Sequence, residues 1–166
     1  MPDKSTTERA KEDLREGKSP STAAGEFVHE EIKHIRQGKH GARSAKQAIA
    51  IGLSKARSAG IPLKPPAKGK TKESTRKSAE NAYKRGQSGQ SREVSASASR
   101  SHEKALEKEP HSAASHRSLS AQTRAASQQR SKSNRHATAI KAVQTKDKTG
   151  LQKAAKKAAG TRAKSA

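Results

Sequence analysis

Residues 44–61 read SAKQAIAIGLSKARSAGI, and this stretch decides the fold because it joins an apolar face to a defined start and end. Ser44 followed by Gln47 is the pattern of a capping box, in which the two side chains satisfy free amides of the first turn. At the other end, Gly60 suits the left-handed C′ position and Pro62 prevents continuation. At about 100° per residue, one broad stripe contains most of the apolar residues: Ala45, Ala48, Ile49, Gly52, Leu53, Ala56 and Ala59.

A second helix precedes this one and is expected to pack against it. Ser19 is a candidate N-cap, Pro20 suits the first helical position, and Gly38 ends the pattern. One face of that segment holds its apolar residues: Ala24, Phe27, Val28, Ile32 and Ile35. Because the connection is short, the sequence predicts an antiparallel helical hairpin of residues 20–37 and 45–59.

Composition limits how much more of the chain can fold. Only 28% of the 166 residues are hydrophobic, and many of these are alanines, which bury little area. The predicted fold class is therefore mainly α, with a small N-terminal helical hairpin followed by a largely disordered, helix-compatible basic tail. Four parts are expected: a charged helix in residues 1–18, the hairpin core in 19–63, a basic Pro/Lys linker in 64–72 and a low-complexity basic tail in 73–166. The tail is expected to hold short helices in residues 72–85 and 101–109 and a helix-compatible stretch in residues 137–159 that is broken near residues 148–150.

The net charge of +22 indicates the class of partner. Residues 1–66 carry +5 and residues 67–166 carry +17, and no acidic residue lies between Ile32 and Lys72. Such a field attracts phosphate polymers. The N-terminus lacks an apolar leader segment and no stretch approaches the length of a membrane span, so we expect no membrane partner and a cytoplasmic, nucleoid location. With no cysteine, disulfide and thiolate chemistry are excluded.

The connection GKHGAR, residues 38–43, is the best-defined candidate for phosphate binding. It places four basic or imidazole side chains, Lys39, His40, Arg43 and Lys46, around a helix N-terminus whose free amides favour an anion. A solvated basic turn is the alternative interpretation. Further contacts to a nucleic-acid backbone are expected from other basic clusters: Arg57, Arg76, Lys77, Lys84, Arg85, Lys153, Lys156 and Lys157.

Enzyme and metal motifs are incomplete. His29 and His34 lie five residues apart, about 140° around a helix, whereas the zinc-protease motif needs a spacing of four, so we interpret them as surface histidines. Residues 69–71 read GKT, but Lys64 stands where a phosphate-binding loop requires glycine. We therefore predict no catalytic site, no metal and no cofactor. One phenylalanine and one tyrosine cannot build a stacking platform, so sequence-specific reading of bases is not expected.

Residues 26–60 read EFVHEEIKHIRQGKHGARSAKQAIAIGLSKARSAG and resemble a small bacterial family of unknown function built on a KQAIAIGLS-type helix. The motif covers residues 46–54 and is followed by Ala56 and Arg57. The stretch HSAASHRSLSAQTRAAS, residues 111–127, is similar to the tails of long members, which are basic and sometimes labelled as DNA-binding proteins. The resemblance implies DNA binding but carries no mechanism.

Together these observations predict a non-enzymatic, mostly sequence-nonspecific DNA-binding protein of the nucleoid-associated, histone-like kind, whose tail lies along phosphates. One alternative is a protein-interaction or stress-protective protein that docks through Ile51 and the apolar stripe. Another is an RNA- or ribosome-associated protein, since charge alone does not distinguish RNA from DNA. A homodimer in which two hairpins form a four-helix bundle would complete the small core.

Overall fold

The computed structural model describes residues 3–89 and 96–145, with isolated positions 150, 152, 155 and 159. Within these residues the chain is helical and has no strand, which confirms the mainly α class. The chain divides into two compact units, residues 1–122 and 123–166. The described part contains seven α-helices and one 3₁₀ helix: α1 Lys4–Arg15, α2 Pro20–Arg36, α3 Ala45–Ser58, α4 Glu73–Ser88, α5 Ala96–Glu107, the 3₁₀ helix His111–Ala114, α6 His116–Gln128 and α7 Lys132–Thr145.

The antiparallel hairpin of α2 and α3 is present, and its caps form as the sequence indicates. The hydroxyl of Ser19 accepts a hydrogen bond from the amide of Thr22 (3.3 Å), and that of Ser44 accepts one from the amide of Gln47 (3.2 Å). The side chain of Gln47 returns to the amide of Arg43 (2.9 Å), one residue before the position that a capping box requires. These bonds satisfy amides that a helix start leaves free.

The first three helices all end in the same way. Gly17, Gly38 and Gly60 have φ values of 76°, 75° and 88°, a region that glycine adopts without strain. The residue after each glycine then donates its amide to a carbonyl five residues earlier, which is the Schellman arrangement; for α3, Ile61 donates to Ala56 at 3.1 Å. The prediction that Gly60 ends the second hairpin helix is confirmed.

Small residues let α2 and α3 approach closely. A Cβ atom added to Gly52 would lie 2.7 Å from the Cα of Val28, so only glycine fits at this contact. The apolar side chains of the hairpin belong to two buried clusters. The first cluster consists of Ala10, Ala23, Ala24, Phe27, Ala56 and Ile61. The second consists of Ile32, Ile35, Ala42, Ala48, Ala113 and Ala114.

Helix α1 packs on α2 and completes the first cluster. Ala10 is fully buried and Leu14 packs against the same cluster. The Arg9 guanidinium pairs with the carboxylate of Glu26 at 2.8 Å, across the two helices. The charged N-terminal helix predicted in residues 1–18 is therefore part of the folded core.

Helix α4 corrects the predicted boundary between core and tail. It continues through Gly86, past the predicted end at residue 85, and stops before Gly89, whose φ is 68°. Gly86 lies against the end of α3, because a Cβ atom there would overlap the carbonyl oxygen of Arg57. Ala82 on the same helix is 2% exposed. Residues 73–88 are thus a packed helix.

A second tail segment also joins the core, at the hairpin turn. Gly41 donates its amide to the carbonyl of Leu106 (2.9 Å), and Ala42 donates to that of Pro110 (3.1 Å). Ala113 and Ala114 are buried in the second cluster. The expectation of a hairpin followed by a largely disordered tail is therefore not confirmed. The packing in residues 73–88 and 106–119 uses alanine and glycine, which fill close helix contacts without the large side chains on which the expectation was based.

Helix α7 is the last helix described in the second unit. The side chains of residues 131–140 are all exposed, and Ile140 and Val143 are 44% and 58% exposed. The helix predicted over residues 137–159 begins earlier, at Lys132, and most of the sequence after Thr145 lies outside the described residues. None of the helices in the described part of the chain combines the length and the apolar character needed to cross a membrane.

Candidate nucleic-acid interface

Three of the basic residues predicted at the hairpin turn are exposed to solvent. Lys39, Arg43 and Lys46 are exposed, and the Arg43 side chain, 78% exposed, lies 3.6 Å from the carboxylate of Glu109. Neither lysine has an ion-pair partner within residues 3–89 and 96–145. The Schellman bond of Lys39 and the Gln47 cap fix the backbone of the turn, so these basic side chains project from a rigid backbone.

The start of α3 adds a backbone donor to these cations. The amide of Lys46 has no hydrogen-bond partner in the described part of the chain, as expected for the first turn of a helix. The helix dipole favours negative charge at this end. A free amide at a helix start suits an oxyanion such as a phosphate, and the neighbouring exposed residues offer a point charge from lysine and a forked donor from Arg43.

His40, the fourth turn residue, points inward. Its side chain is 17% exposed, and its Nε2 atom lies 3.3 Å from a carboxylate oxygen of the buried Glu31. It is thus separated from the three exposed cations and is removed from the set of expected phosphate contacts.

Arg57 is used inside the fold. The residue is 7% exposed, and its guanidinium donates to the carbonyls of Leu63 (3.2 Å), Leu53 (3.4 Å) and Lys64 (3.5 Å). Burial lowers the pKa of this guanidinium from its ordinary value. The structure corrects the prediction that Arg57 contacts phosphate. Its guanidinium donors hold the chain that leaves α3, and the side chain is not available at the surface.

The cations predicted on α4 divide into paired and unpaired groups. Arg76 pairs with Glu73 (2.7 Å) and Glu80 (3.2 Å), and Lys84 pairs with Glu80 (2.9 Å). The hydrogen bond from Arg76 lowers the pKa of Glu73. Exposed pairs of this kind are weak, so a phosphate can compete for the cations.

The remaining predicted tail residues are placed as follows. Lys77 is exposed and has no ion-pair partner within the described chain, and Arg85 is half-buried. Lys153, Lys156 and Lys157 lie outside the described residues.

Four lysines of the linker were missed by the sequence reasoning: Lys64, Lys68, Lys70 and Lys72. All four are exposed. The signal for them was present, since they belong to the same stretch without acidic residues as the turn. Prolines interrupt the helical pattern here, so the sequence predicts a linker and not a binding surface.

A buried cluster of titratable side chains lies behind the turn. His29 is exposed as expected, but the interpretation of His34 as a surface histidine is wrong, because its side chain is 12% exposed. Burial, followed by the charge of Lys39, lowers the pKa of His34. Glu31 on the same helix is fully buried, and Lys55 of α3 pairs with its Oε2 atom at 2.5 Å. The turn brings His40 to this pair, which spacing along a single helix does not reveal.

Comparison of the chain with protein-family models, with curated proteins and with solved structures found no match. The resemblance to the family built on the KQAIAIGLS-type helix stays a prediction.

Proposed function

We propose that the protein binds nucleic acid, principally DNA, without reading its sequence. The observation that supports this is the fate of the cations between Ile32 and Lys72, where the sequence has no acidic residue. The fold engages three of them, Arg36, Lys55 and Arg57, and it places Arg43 3.6 Å from the carboxylate of Glu109 while leaving that arginine side chain 78% exposed. The others are exposed: Lys33, Lys39, Arg43, Lys46, Lys64, Lys68, Lys70 and Lys72.

The mechanism is release of counterions from the phosphate backbone. Each phosphate that a lysine or arginine neutralises frees condensed cations, so the logarithm of affinity falls with the logarithm of salt concentration by about 0.9 per phosphate on duplex DNA. Because the backbone that carries the turn cations is already fixed, binding has to order their side chains but not the main chain. The turn is therefore expected to contribute contacts without a cost in backbone entropy.

The two other functions weighed from the sequence have less support. Docking on a protein partner was assigned to Ile51, but this side chain is half-buried on α3 rather than exposed. RNA binding would use the same charges, and a competition experiment decides it: duplex DNA and structured RNA are offered at equal phosphate concentration. Preference for RNA would overturn the assignment of DNA as the principal target.

The test compares three forms of the full-length chain on duplex DNA across a salt series. The turn variant carries Lys39→Glu, Arg43→Glu and Lys46→Glu. The control variant carries Lys4→Glu, Lys11→Glu and Arg15→Glu on α1, which gives the same change in net charge at another exposed site. A chain truncated after the hairpin is unsuitable, because α4 and the segment near Pro110 complete its packing.

We expect the salt slope of the turn variant to be shallower by about 3, which corresponds to three lost phosphate contacts. The control variant should keep a slope close to that of the wild-type chain. Equal losses in both variants would show that net charge acts without a defined turn site. Absence of binding by the wild-type chain at physiological salt would refute the proposed function.

A further inference from the structure

We propose that Glu31, His34 and His40 form a binding site for a divalent transition metal ion of the Zn²⁺ type. The three residues come from two places, α2 and the turn that follows it. Each offers one ligand atom, and these atoms all lie within 4.8 Å of one another. This site is separate from the proposed nucleic-acid surface, and its existence does not depend on that function.

One pair of ligand atoms already has the separation that a metal requires. The Oε1 atom of Glu31 lies 3.3 Å from the Nε2 atom of His40. Bonds of about 2.0–2.1 Å to zinc, arranged tetrahedrally, place neighbouring ligand atoms about 3.3 Å apart. Glu31 and His34 are three residues apart on α2, a spacing that puts both side chains on one face of the helix.

The Oε1 atom of Glu31 is the observation that points to a ligand. The residue is fully buried, and this oxygen has no hydrogen-bond partner. A buried carboxylate oxygen without a donor costs free energy comparable to a lost hydrogen bond or more. A cation bound between Glu31 and His40 removes that cost.

The outer contacts orient the proposed ligands as metal sites require. The Nδ1 atom of His40 lies 3.1 Å from the carbonyl oxygen of Gly41, so in the neutral imidazole a proton on Nδ1 donates there and leaves the lone pair of Nε2 on the side of Glu31. Two lone pairs in contact repel unless a cation lies between them. Ligating histidines usually donate their other ring N–H to a carbonyl in this way, and ligating carboxylates are hydrogen-bonded in turn, here by Lys55.

The chemistry of the ligands selects the ion. Two imidazoles with one carboxylate suit zinc and its transition-metal neighbours, whereas Ca²⁺ and Mg²⁺ prefer sets made of oxygen. A second group, Asp3, Glu30 and His34, shares His34 with the proposed site. That group also holds a buried oxygen without a hydrogen-bond partner, the Oε2 atom of Glu30, but its member Asp3 is exposed. The variants of His40 and Asp3 distinguish the two groups.

The experiment titrates Zn²⁺ into full-length protein that has been freed of metal with a chelator, and follows both heat and melting temperature. We expect one tight ion per chain. At a hundredfold excess over Kd, the melting temperature should rise by about 5–10 °C. Co²⁺ in place of Zn²⁺ should give the visible absorption of a tetrahedral site.

The variants His40→Gln and His29→Gln test the assignment. Removal of a ligand in His40→Gln should weaken Zn²⁺ binding by at least about 100-fold, since loss of an outer-shell partner alone costs 10–100-fold. His29→Gln, an exposed histidine on the same helix, should bind as the wild type does. Glu31→Gln leaves Lys55 without its partner and can unfold the chain, so the partly exposed His40 is the primary test.

Three results would overturn the proposal. The first is absence of stoichiometric Zn²⁺ binding to the wild-type chain. The second is unchanged affinity in His40→Gln. The third is loss of binding in Asp3→Asn, which would place the ion in the other group.

Discussion

At the scale of single residues, glycine positions decide how closely the helices meet. Gly25 and Gly52 both lie inside helices, where glycine costs about 1 kcal/mol relative to alanine. Their surroundings differ: a Cβ atom at Gly25 meets nothing within 4 Å, whereas one at Gly52 would meet the backbone of Val28 at 2.7 Å and of Phe27 at 3.0 Å. The same substitution should therefore have opposite effects at the two positions.

We expect Gly25→Ala to raise the free energy of unfolding by about 0.5–1 kcal/mol, since only the backbone entropy and helix propensity change. Gly52→Ala should lower it by about 1–3 kcal/mol, because α2 and α3 must move apart. Urea unfolding of both variants with a common slope gives the two values. Stabilisation by Gly52→Ala would contradict the close contact between the helices.

Arg57 contributes to the stability of the fold through its hydrogen-bond donors more than through its charge. We expect Arg57→Lys to lower the free energy of unfolding by about 1–3 kcal/mol, because lysine keeps the charge but cannot reach the carbonyls of Leu53, Leu63 and Lys64 together. The salt slope of DNA binding should be unchanged. Lys46→Ala is the complementary variant. It should keep the stability of the wild-type chain and give a shallower salt slope of DNA binding. If Arg57→Lys weakened DNA binding without loss of stability, the residue would belong to the interface.

At the scale of the elements, the hairpin was predictable and its surroundings were not. The signals for α2 and α3 are local: Ser19, Ser44 and the terminating glycines act within a few residues of themselves. The contacts of α4 and of the segment around Pro110 join positions far apart in the sequence, and helical periodicity does not tell which distant segments pack together. The sequence therefore indicated most of the helices, though not α6, and the pairing of α2 with α3. It did not indicate that α4 and the segment around Pro110 pack on that hairpin.

The candidate sites follow the same division. Lys39, Arg43 and Lys46 were predictable because charge density on a short turn is a local property. The partners of Arg57 lie beyond Pro62, on the chain that turns back after α3. Likewise, the contact between His40 and Glu31 is created by the hairpin turn, so helical spacing gave no sign of it.

Hydrogen exchange of the Ala42 amide reports whether the segment around Pro110 is docked on the hairpin turn. The Ala42 amide donates to the carbonyl of Pro110, so it should exchange with solvent far more slowly than an amide in an open turn. In Gly41→Ala the added Cβ atom would overlap the carbonyl of Glu109, and we expect the segment to leave and the Ala42 amide to exchange at least about tenfold faster.

Hydrogen exchange followed by NMR measures this rate directly. Gly25→Ala is the control, since it makes the same chemical change away from the contact. Rapid exchange of the Ala42 amide in the wild-type chain would show that the segment is not docked in solution.

At the scale of the whole molecule, the core is completed by the chain itself. The sequence-based reason for expecting a homodimer was a two-helix hairpin too small to fold alone. Within the first unit, α1 and the 3₁₀ helix cover α2, and α4 covers α3, so Phe27, Ile35 and Ile61 are each at most 1% exposed. That reason for a dimer no longer applies. The stability of the chain then depends on the packing of this core against the repulsion within a net charge of +22.

That balance predicts how salt affects stability. Like charges on a compact chain repel, and added salt screens them, with a screening length of about 10 Å at 0.1 M. The exposed ion pairs around Arg76 contribute little to stability, so screening them by salt costs little. The pair of Lys55 with the buried Glu31 is screened much less by added salt. We therefore expect NaCl to raise the melting temperature of the full chain between 20 and 500 mM by about 3–8 °C, equivalent to about 1–2 kcal/mol.

Calorimetry of the wild-type chain and of the turn variant tests the cause. The three reversals at Lys39, Arg43 and Lys46 lower the net charge from +22 to +16, because each changes it by two. If repulsion sets the salt effect, the variant should melt at a higher temperature in low salt and gain less from added NaCl. A melting temperature that falls with salt would mean that ion pairs outweigh repulsion. In that case the cations at the turn would contribute to holding the fold together, and their replacement would lower stability in low salt.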